Sequence, residues 1–481
     1  MSEQLLSLYG LSSAESLDDA VPFAALPTRN DVLNGIGENR NFDLLILGGG
    51  LTGALIAHEA TLQGIRVLLL ERGYFGVDAL SWDVRIAHQL RSDPMGLIRA
   101  RRTLKEVTTQ RAPHLALRMP VDSHPVPGLI ARLVQRYVPL VNIDERLLIR
   151  ETILAARQEG AAILSGVVPV YVEAESSESG CYMVGFEDPV TQQRYEARVG
   201  GIVLDPTHGI LPPSRLGTHV VPATDPTSAG EQLIYEAIPK SPKSALRFVS
   251  FELTDGSFIA VQRKTVSTLE VTVLHGSKQL SAEQVDGIIA EAVGEAGWQV
   301  QREVSRRRVA GRWSSRYGIS QVKGVFSCVH RGAWDAFASA RTIVSALVAL
   351  SREPRSLRSL SQRRLPGVEF NCEVDAFRAL ARAQGLSEQT IERVVARWRG
   401  RVRYLALFPN GLREFVPGVL RGEVELAVRG DQVVSLDDLV VGALDLQTNP
   451  TWQESLSGLE DRLASFYENS EGSATPKAQK V

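Results

Sequence analysis

Gly48-Gly49-Gly50-Leu51-Thr52-Gly53 follows an apolar run at residues 42–47 and opens a stretch with small and apolar residues at helical spacing: Leu51, Ala54, Leu55, Ala57, His58 and Leu62. The pattern is G-x-G-x-x-G between a strand and a helix. Gly48 permits the tight turn, Gly50 lets backbone approach a diphosphate, and Gly53 lets helix and strand pack closely. A helix that starts here offers unpaired N–H groups and a positive dipole end to an anion. Glu71 closes the next apolar run, 65–70, where its carboxylate would accept hydrogen bonds from ribose hydroxyls. These residues predict a dinucleotide site. The acid disfavours NADP, because it would repel a 2′-phosphate. NAD and FAD remain open on these residues.

The elements that must position this turn follow from periodicity. A buried parallel strand over 42–47, a helix over 51–63 ended by Gly64, and a strand over 65–70 make one βαβ unit. Helices are expected at 95–111, 144–159, 282–296 and 335–350. Residues 161–172 alternate as a strand. Further strands are expected at 182–186, 197–204, 246–253, 257–262, 269–274 and 325–329. The fold class is therefore α/β: a Rossmann-like nucleotide domain over 42–350, interrupted by a strand-rich cap or substrate insertion over about 180–300. An acidic extension, 1–41, precedes it; short helices are possible there, and the plainer expectation is loose packing. An arginine-rich linker, 351–366, leads to a C-terminal α-helical domain over 367–465 and a polar, disordered tail over 466–481.

Composition excludes several classes. Lys plus Arg number 53 against 55 Asp plus Glu, so the chain is not built to coat nucleic acid. Its three cysteines, Cys181, Cys328 and Cys372, are far apart and include no CxxC, which fits a reducing compartment without disulfides or a metal site. No apolar run reaches the ~18 residues of a spanning helix. The opening residues, with no basic run and no apolar run behind it, lead to the expectation of no secretory signal. The expected location is cytoplasmic, with peripheral association at the inner membrane face open. The oligomeric state is not readable.

Several segments beyond the glycine turn resemble the FAD-dependent glycerol-3-phosphate dehydrogenase family. They are Glu71-Arg72-Gly73-Tyr74-Phe75, Ser81-Trp82-Asp83-Val84-Arg85-Ile86-Ala87-His88, Arg111-Ala112-Pro113-His114-Leu115, Asp144-Glu145-Arg146-Leu147-Leu148 and Gly217-Thr218-His219. Glu423-Val424-Glu425-Leu426-Ala427-Val428-Arg429 and Ser435-Leu436-Asp437-Asp438-Leu439 extend the likeness into the C-terminal part. The resemblance covers roughly residues 30–465 and implies FAD as cofactor, held by Gly48, Gly49, Gly50, Thr52, Gly53, Glu71, Arg72 and Arg85. It implies oxidation of glycerol 3-phosphate to dihydroxyacetone phosphate, with electrons passed to quinone at a membrane surface. On the same comparison His88 and His219 are base candidates, and Arg312 and Arg316 would hold the phosphate. Such a reaction needs a hydride acceptor, a base near the hydroxyl and fixed positive charge for the phosphate.

The departures are equally specific. Trp82, Asp83 and Val84 replace an arginine, a serine and a threonine. Asp205-Pro206-Thr207 stands where the family has Ala-Thr-Gly. Arg331-Gly332-Ala333-Trp334-Asp335-Ala336 stands for a segment that carries a lysine at the position of Ala333. Two other readings therefore accompany the dehydrogenase: a flavin oxidoreductase with another substrate, and a catalytically degenerate relative with a binding or regulatory role. The plainer alternatives are a packed His88, His219 as an ordinary strand residue, a solvated or lipid-facing basic run over 302–316, and Cys328 as packing.

Overall fold

In the computed structural model, alternate residues of one short strand feed two different cores. The described residues are 26–39, 41–76, 79, 94–106, 115–118, 141–175, 180–205, 230–241, 249–252, 257–263, 267–275, 281–309, 318–322, 324–329, 332–350, 365, 370–408, 410–444, 446 and 459. In chain order they begin with helix α1 (Arg29–Glu38), strands β1 (Asn41–Phe42) and β2 (Leu44–Leu47), helix α2 (Leu51–Leu62), strand β3 (Val67–Leu70) and helix α3 (Pro94–Glu106). Strands β4 (Ala116–Arg118) and β5 (Val141–Ile143), helix α4 (Glu145–Gln158), and strands β6 (Ala162–Leu164), β7 (Val168–Ala174), β8 (Tyr182–Asp188), β9 (Gln193–Val199) and β10 (Ile202–Leu204) follow. Then come β11 (Gly230–Pro239), β12 (Val249–Glu252), β13 (Phe258–Arg263), β14 (Thr268–Leu274), α5 (Ala282–Glu295), β15 (Trp298–Val309), β16 (Gly318–Val322), β17 (Val325–Val329) and α6 (Ala333–Leu350). The remaining elements are α7 (Phe370–Ala383), α8 (Glu388–Trp398), α9 (Val402–Leu407), the hairpin β18 (Glu414–Val416) and β19 (Val419–Leu420), and α10 (Arg421–Glu425).

The six-stranded sheet has the order β16-β17-β10-β2-β3-β6. Its strands run parallel except for β16, which pairs antiparallel with β17. Leu44 and Ile46 of β2 join the core beneath α2, α4 and α6, while Leu45 and Leu47 join a second core against the four-stranded sheet β1-β9-β8-β7. This is the period-two alternation of a strand buried on both faces. Helix α2 is sandwiched, and all its residues but Thr61 are buried. A helix enclosed on every side needs the apolar and small residues that its sequence supplies.

The strand-rich insertion is a five-stranded antiparallel sheet, β12-β13-β14-β11-β15. Leu233, Tyr235 and Ala237 of β11 pack with Val271 and Val273 of β14 against Val285, Ile289 and Ala292 of α5. The basic run expected as a solvated face is, through Val309, the edge strand β15. Its Arg302 pairs with Glu236, and Arg306 with Asp286 and Glu303, so β15 puts charge outward along a sheet edge.

Four expectations change. The single strand expected over 161–172 is β6 and β7, which lie in different sheets. The apolar run 42–47 is two strands in two sheets, divided at Asp43, whose carboxylate accepts from the Arg66 backbone N–H and guanidinium. The run expected over 197–204 likewise divides at Gly200 and Gly201 between β9 and β10. The loosely packed extension contains an ordered helix. Thr28 and Asp31 form a reciprocal capping box, and Leu33 and Ile36 are buried in the second core. Arg29 of α1 pairs with the buried Asp188 at 2.8 Å. The linker segment 351–364 and the tail 466–481 lie outside the described residues.

Ile36 is 1% exposed. Ile36→Ala is expected to cost about 2–5 kcal/mol, read as a lower denaturant midpoint of the full chain. An unchanged midpoint would return α1 to the status of a loose extension.

Candidate dinucleotide site

The turn is built by a backbone contact that only glycine allows. Gly48 has φ of +108°, and its N–H donates to Leu70 O at 3.0 Å, tying the end of β2 to the end of β3. A Cβ placed on Gly53 would lie 2.0 Å from Gly48 O. The first turn of α2 is thus pressed onto the strand that precedes it. A Cβ on Gly49 would meet the Phe75 ring at 2.6 Å. Gly50 is the N-cap, extended and without a side-chain cap. Among the described residues, no acceptor faces the N–H groups of Gly50 and Leu51. Two open donors at the positive end of a helix are the physical basis of an anion site.

Two buried carboxylates flank the turn. Glu71 Oε2 accepts from Gly49 N at 2.5 Å and Oε1 accepts from Gly73 N at 2.8 Å. The side chain is thereby pinned beside the turn by two backbone donors. Asp205 Oδ2 accepts from Gly53 N at 3.0 Å. The register brings it there: Leu204 of β10 lies beside Leu47 of β2, so the next residue stands beside Gly48. Sequence marked Asp205 only as a departure from Ala-Thr-Gly. Its bond to Gly53 becomes legible once β10 is known to neighbour β2. The carboxylate complements the dipole of α2 and fills the donor of Gly53, leaving those of Gly50 and Leu51.

Gly48, Gly49, Gly50, Thr52, Gly53 and Glu71 are therefore brought together at one end of the parallel sheet. Thr52 is buried on α2 beside Cys328. Arg72 is exposed next to Glu71. Arg85, His88, His219, Arg312 and Arg316 lie outside the described residues. Cys328 is buried, and burial, with the Asp205 charge adding to it, pushes its thiol well up; it packs rather than reacts. At the start of α6, Ala333 and Asp335 are buried and Gly332 lies against the Trp334 ring, which a Cβ there would meet at 2.3 Å. The glycine cradle and its open donors fit the diphosphate of a dinucleotide.

Fold and turn together define a Rossmann-like α/β protein of the dinucleotide-binding type. The comparisons with known proteins sharpen that class. No family model matches the chain. The chain is 34% identical over 109 residues to a probable mitochondrial glycerol-3-phosphate dehydrogenase of Caenorhabditis elegans, a match covering 20% of this chain and 15% of that protein. It is 33% identical over 82 residues to a glycerol-3-phosphate dehydrogenase of Synechocystis, covering 16% and 15%. The matched stretches are thus a small part of these relatives' length. The fold extends much further. The structure of the glycerol-3-phosphate dehydrogenase of Bacillus halodurans, complexed with FAD, superposes with a TM-score of 0.62 at 16% identity, over 95% of this chain and 99% of that one. The chain has that enzyme's fold, and the resemblance read from its sequence is found in both comparisons.

Gly53→Ala is expected to lower the thermal midpoint and abolish dinucleotide binding, because the Gly48 carbonyl cannot yield to a Cβ at this range. Gly287→Ala, inside α5 where a Cβ meets nothing within 4 Å, is the control. It should be neutral or stabilising by about 0.5–1 kcal/mol. Equal behaviour of the two variants in calorimetry would refute the packing role of Gly53.

Proposed function

We propose that the chain binds FAD and oxidises the secondary alcohol of a phosphorylated polyol, with glycerol 3-phosphate to dihydroxyacetone phosphate as the reference reaction. The observation that carries this reading is the glycine cradle with its two open N–H groups beside a pinned carboxylate, in a chain with the fold of an FAD-holding glycerol-3-phosphate dehydrogenase. When bound, the flavin supplies the acceptor for the hydride that leaves the alcohol carbon.

The chain's own residues do the rest. The N–H groups of Gly50 and Leu51 bind the diphosphate, helped by the dipole of α2. Glu71 accepts from the ribose hydroxyls, with Arg72 and Arg85 beside the cofactor. His88 or His219 takes the hydroxyl proton as the carbon gives up its hydride, so that two electrons and one proton leave the alcohol together with the second proton held on imidazole. Arg312 and Arg316 fix the substrate phosphate through forked donors. The roles of these histidines and arginines, and of Arg85, rest on the family resemblance.

Quinone at the inner face of a membrane is the proposed electron acceptor, reached from the cytoplasm. No helix among the described residues is long and apolar enough to cross a membrane. Helix α3 presents exposed Met95 and Ile98 beside exposed Arg99, Arg101 and Arg102. That combination suits a helix lying at an anionic surface.

Specific observations favour a second reading, a relative with altered substrate or without catalysis. Ala333 stands for a lysine, and a buried acid, Asp335, stands two residues further on in the first turn of α6. Anaerobic titration separates the readings. Yellow protein bleached by glycerol 3-phosphate is the expected result. Yellow protein that glycerol 3-phosphate leaves unchanged would support altered or lost catalysis, and protein that stays colourless with added FAD would remove the flavin assignment. In the active enzyme, Arg316→Ala should raise KM for the phosphorylated polyol roughly 10- to 100-fold, the value of a lost charge-assisted hydrogen bond. An equal effect on an unphosphorylated polyol would remove the phosphate role.

A further inference from the structure

Of the two buried acids that border the glycine turn, Glu71 belongs to the dinucleotide pattern, whereas Asp205 stands where the resembled family has the alanine of Ala-Thr-Gly. Asp205 is 4% exposed. Its place is fixed by the backbone: Leu204 lies beside Leu47 in the sheet, and Asp205 N donates to Leu47 O at 2.9 Å. Pro206 follows in the sequence and holds residue 205 to extended backbone. From there the carboxylate reaches α2, where Oδ2 accepts from Gly53 N at 3.0 Å. A Cβ on Gly53 would crowd that oxygen at 3.3 Å.

Gly50 is the N-cap of α2, so Leu51 is its first residue and Gly53 its third. Their N–H groups all belong to the first turn, whose pitch is about 5.4 Å. Asp205 therefore puts a carboxylate within about one turn of the N–H groups of Gly50 and Leu51. A negative charge at the start of a helix does two things. It stabilises the turn as a capping side chain does, and here the cap comes from the end of β10 rather than from the helix's own flank. It also opposes a second anion at the same end, because like charges in a buried setting repel over this range. The neighbourhood registers the charge: Cys328 has its thiol pushed up by burial first and by Asp205 second.

We propose that Asp205 sets the affinity of the cradle for its cofactor: the carboxylate is a resident anion that holds the first turn of α2 in the cofactor-free chain and weakens the hold of Gly50 and Leu51 on the FAD diphosphate. This role rests on the flavin reading and concerns binding rather than the chemistry.

Calorimetric titration of the full chain with FAD, with ADP and with adenosine separates charge from shape. Asp205→Asn keeps an oxygen for the Gly53 N–H and removes the charge. It should tighten FAD and ADP, which carry the diphosphate, by about tenfold, and leave adenosine, which carries none, unchanged. Asp205→Ala removes both charge and acceptor. It should tighten FAD and ADP likewise, and lower the thermal midpoint of the cofactor-free chain by about 2–4 °C through loss of the cap. Should the Asn variant not fold, the Ala variant, which carries the family's residue, bears the affinity test. Equal dissociation constants for FAD in wild type and the folded variants, or an equal gain for adenosine, would overturn the affinity role and leave the flavin reading intact. An Ala variant with the wild-type midpoint would overturn the capping role. Binding of FAD by none of the three proteins would overturn the flavin reading and this role with it.

Discussion

The approach of the first turn of α2 to the Gly48 carbonyl fixes everything around it. With a Cβ at residue 53 only 2.0 Å from that oxygen, the helix can start where it does only on glycine. That start leaves the N–H groups of Gly50 and Leu51 without an acceptor among the described residues. It also sets the depth of α2 between α4 and α6, and so the packing of the core on that face of the sheet. The turn is held from three sides: by the Gly48–Leu70 bond, by Glu71 on Gly49 and by Asp205 on Gly53. Three neighbouring strands, β2, β3 and β10, each lend one end to the same few atoms. A dinucleotide site here follows from strand order, because β10 and β3 flank β2 in the sheet.

The second constraint is the joint to the C-terminal part. Tyr74 and Leu154 leave the first part of the chain to enter the C-terminal core. Arg157 donates to Gly430 O at 2.6 Å and to Pro27 O at 3.0 Å, and Ser165 Oγ donates to Gln432 O at 2.8 Å. Burial works to raise the Asp431 carboxyl, but the charges of Arg401 and Arg150 and the bonds from Arg401 and Tyr74 outweigh it, so the group is held below the usual carboxylate range. Tyr74 lies directly before Phe75, whose ring backs Gly49, so the joint and the glycine turn share one short loop.

What was legible in the sequence was local. The glycine spacing, the acid at Glu71, the helix over 144–159 and the strand 325–329 are each encoded within a few residues. What was not legible depended on partners distant in the chain. The strand β11 carries Glu231 and Glu236 among its apolar residues, and β15 alternates arginine with Glu303, so neither reads as a strand until the sheet pairs them. The apolar run 42–47 hides its division because both halves are apolar and only the pairing of β1 with β9 separates them. The buried arginines of α4 were invisible for a similar reason. Arginine usually marks a solvated face, and here the acceptors that draw Arg146 and Arg150 inward lie nearly three hundred residues away, at Gly442. The catalytic histidines and the phosphate-binding arginines rest on the resemblance, since His88, His219, Arg312 and Arg316 lie outside the described residues.

The most direct test is a crystal structure of the chain soaked with FAD. Density for a diphosphate within hydrogen-bond distance of the Gly50 and Leu51 N–H groups, with the adenosine ribose on Glu71, is the predicted result. A cradle closed by the chain's own side chains, or a dinucleotide bound elsewhere, would contradict the account.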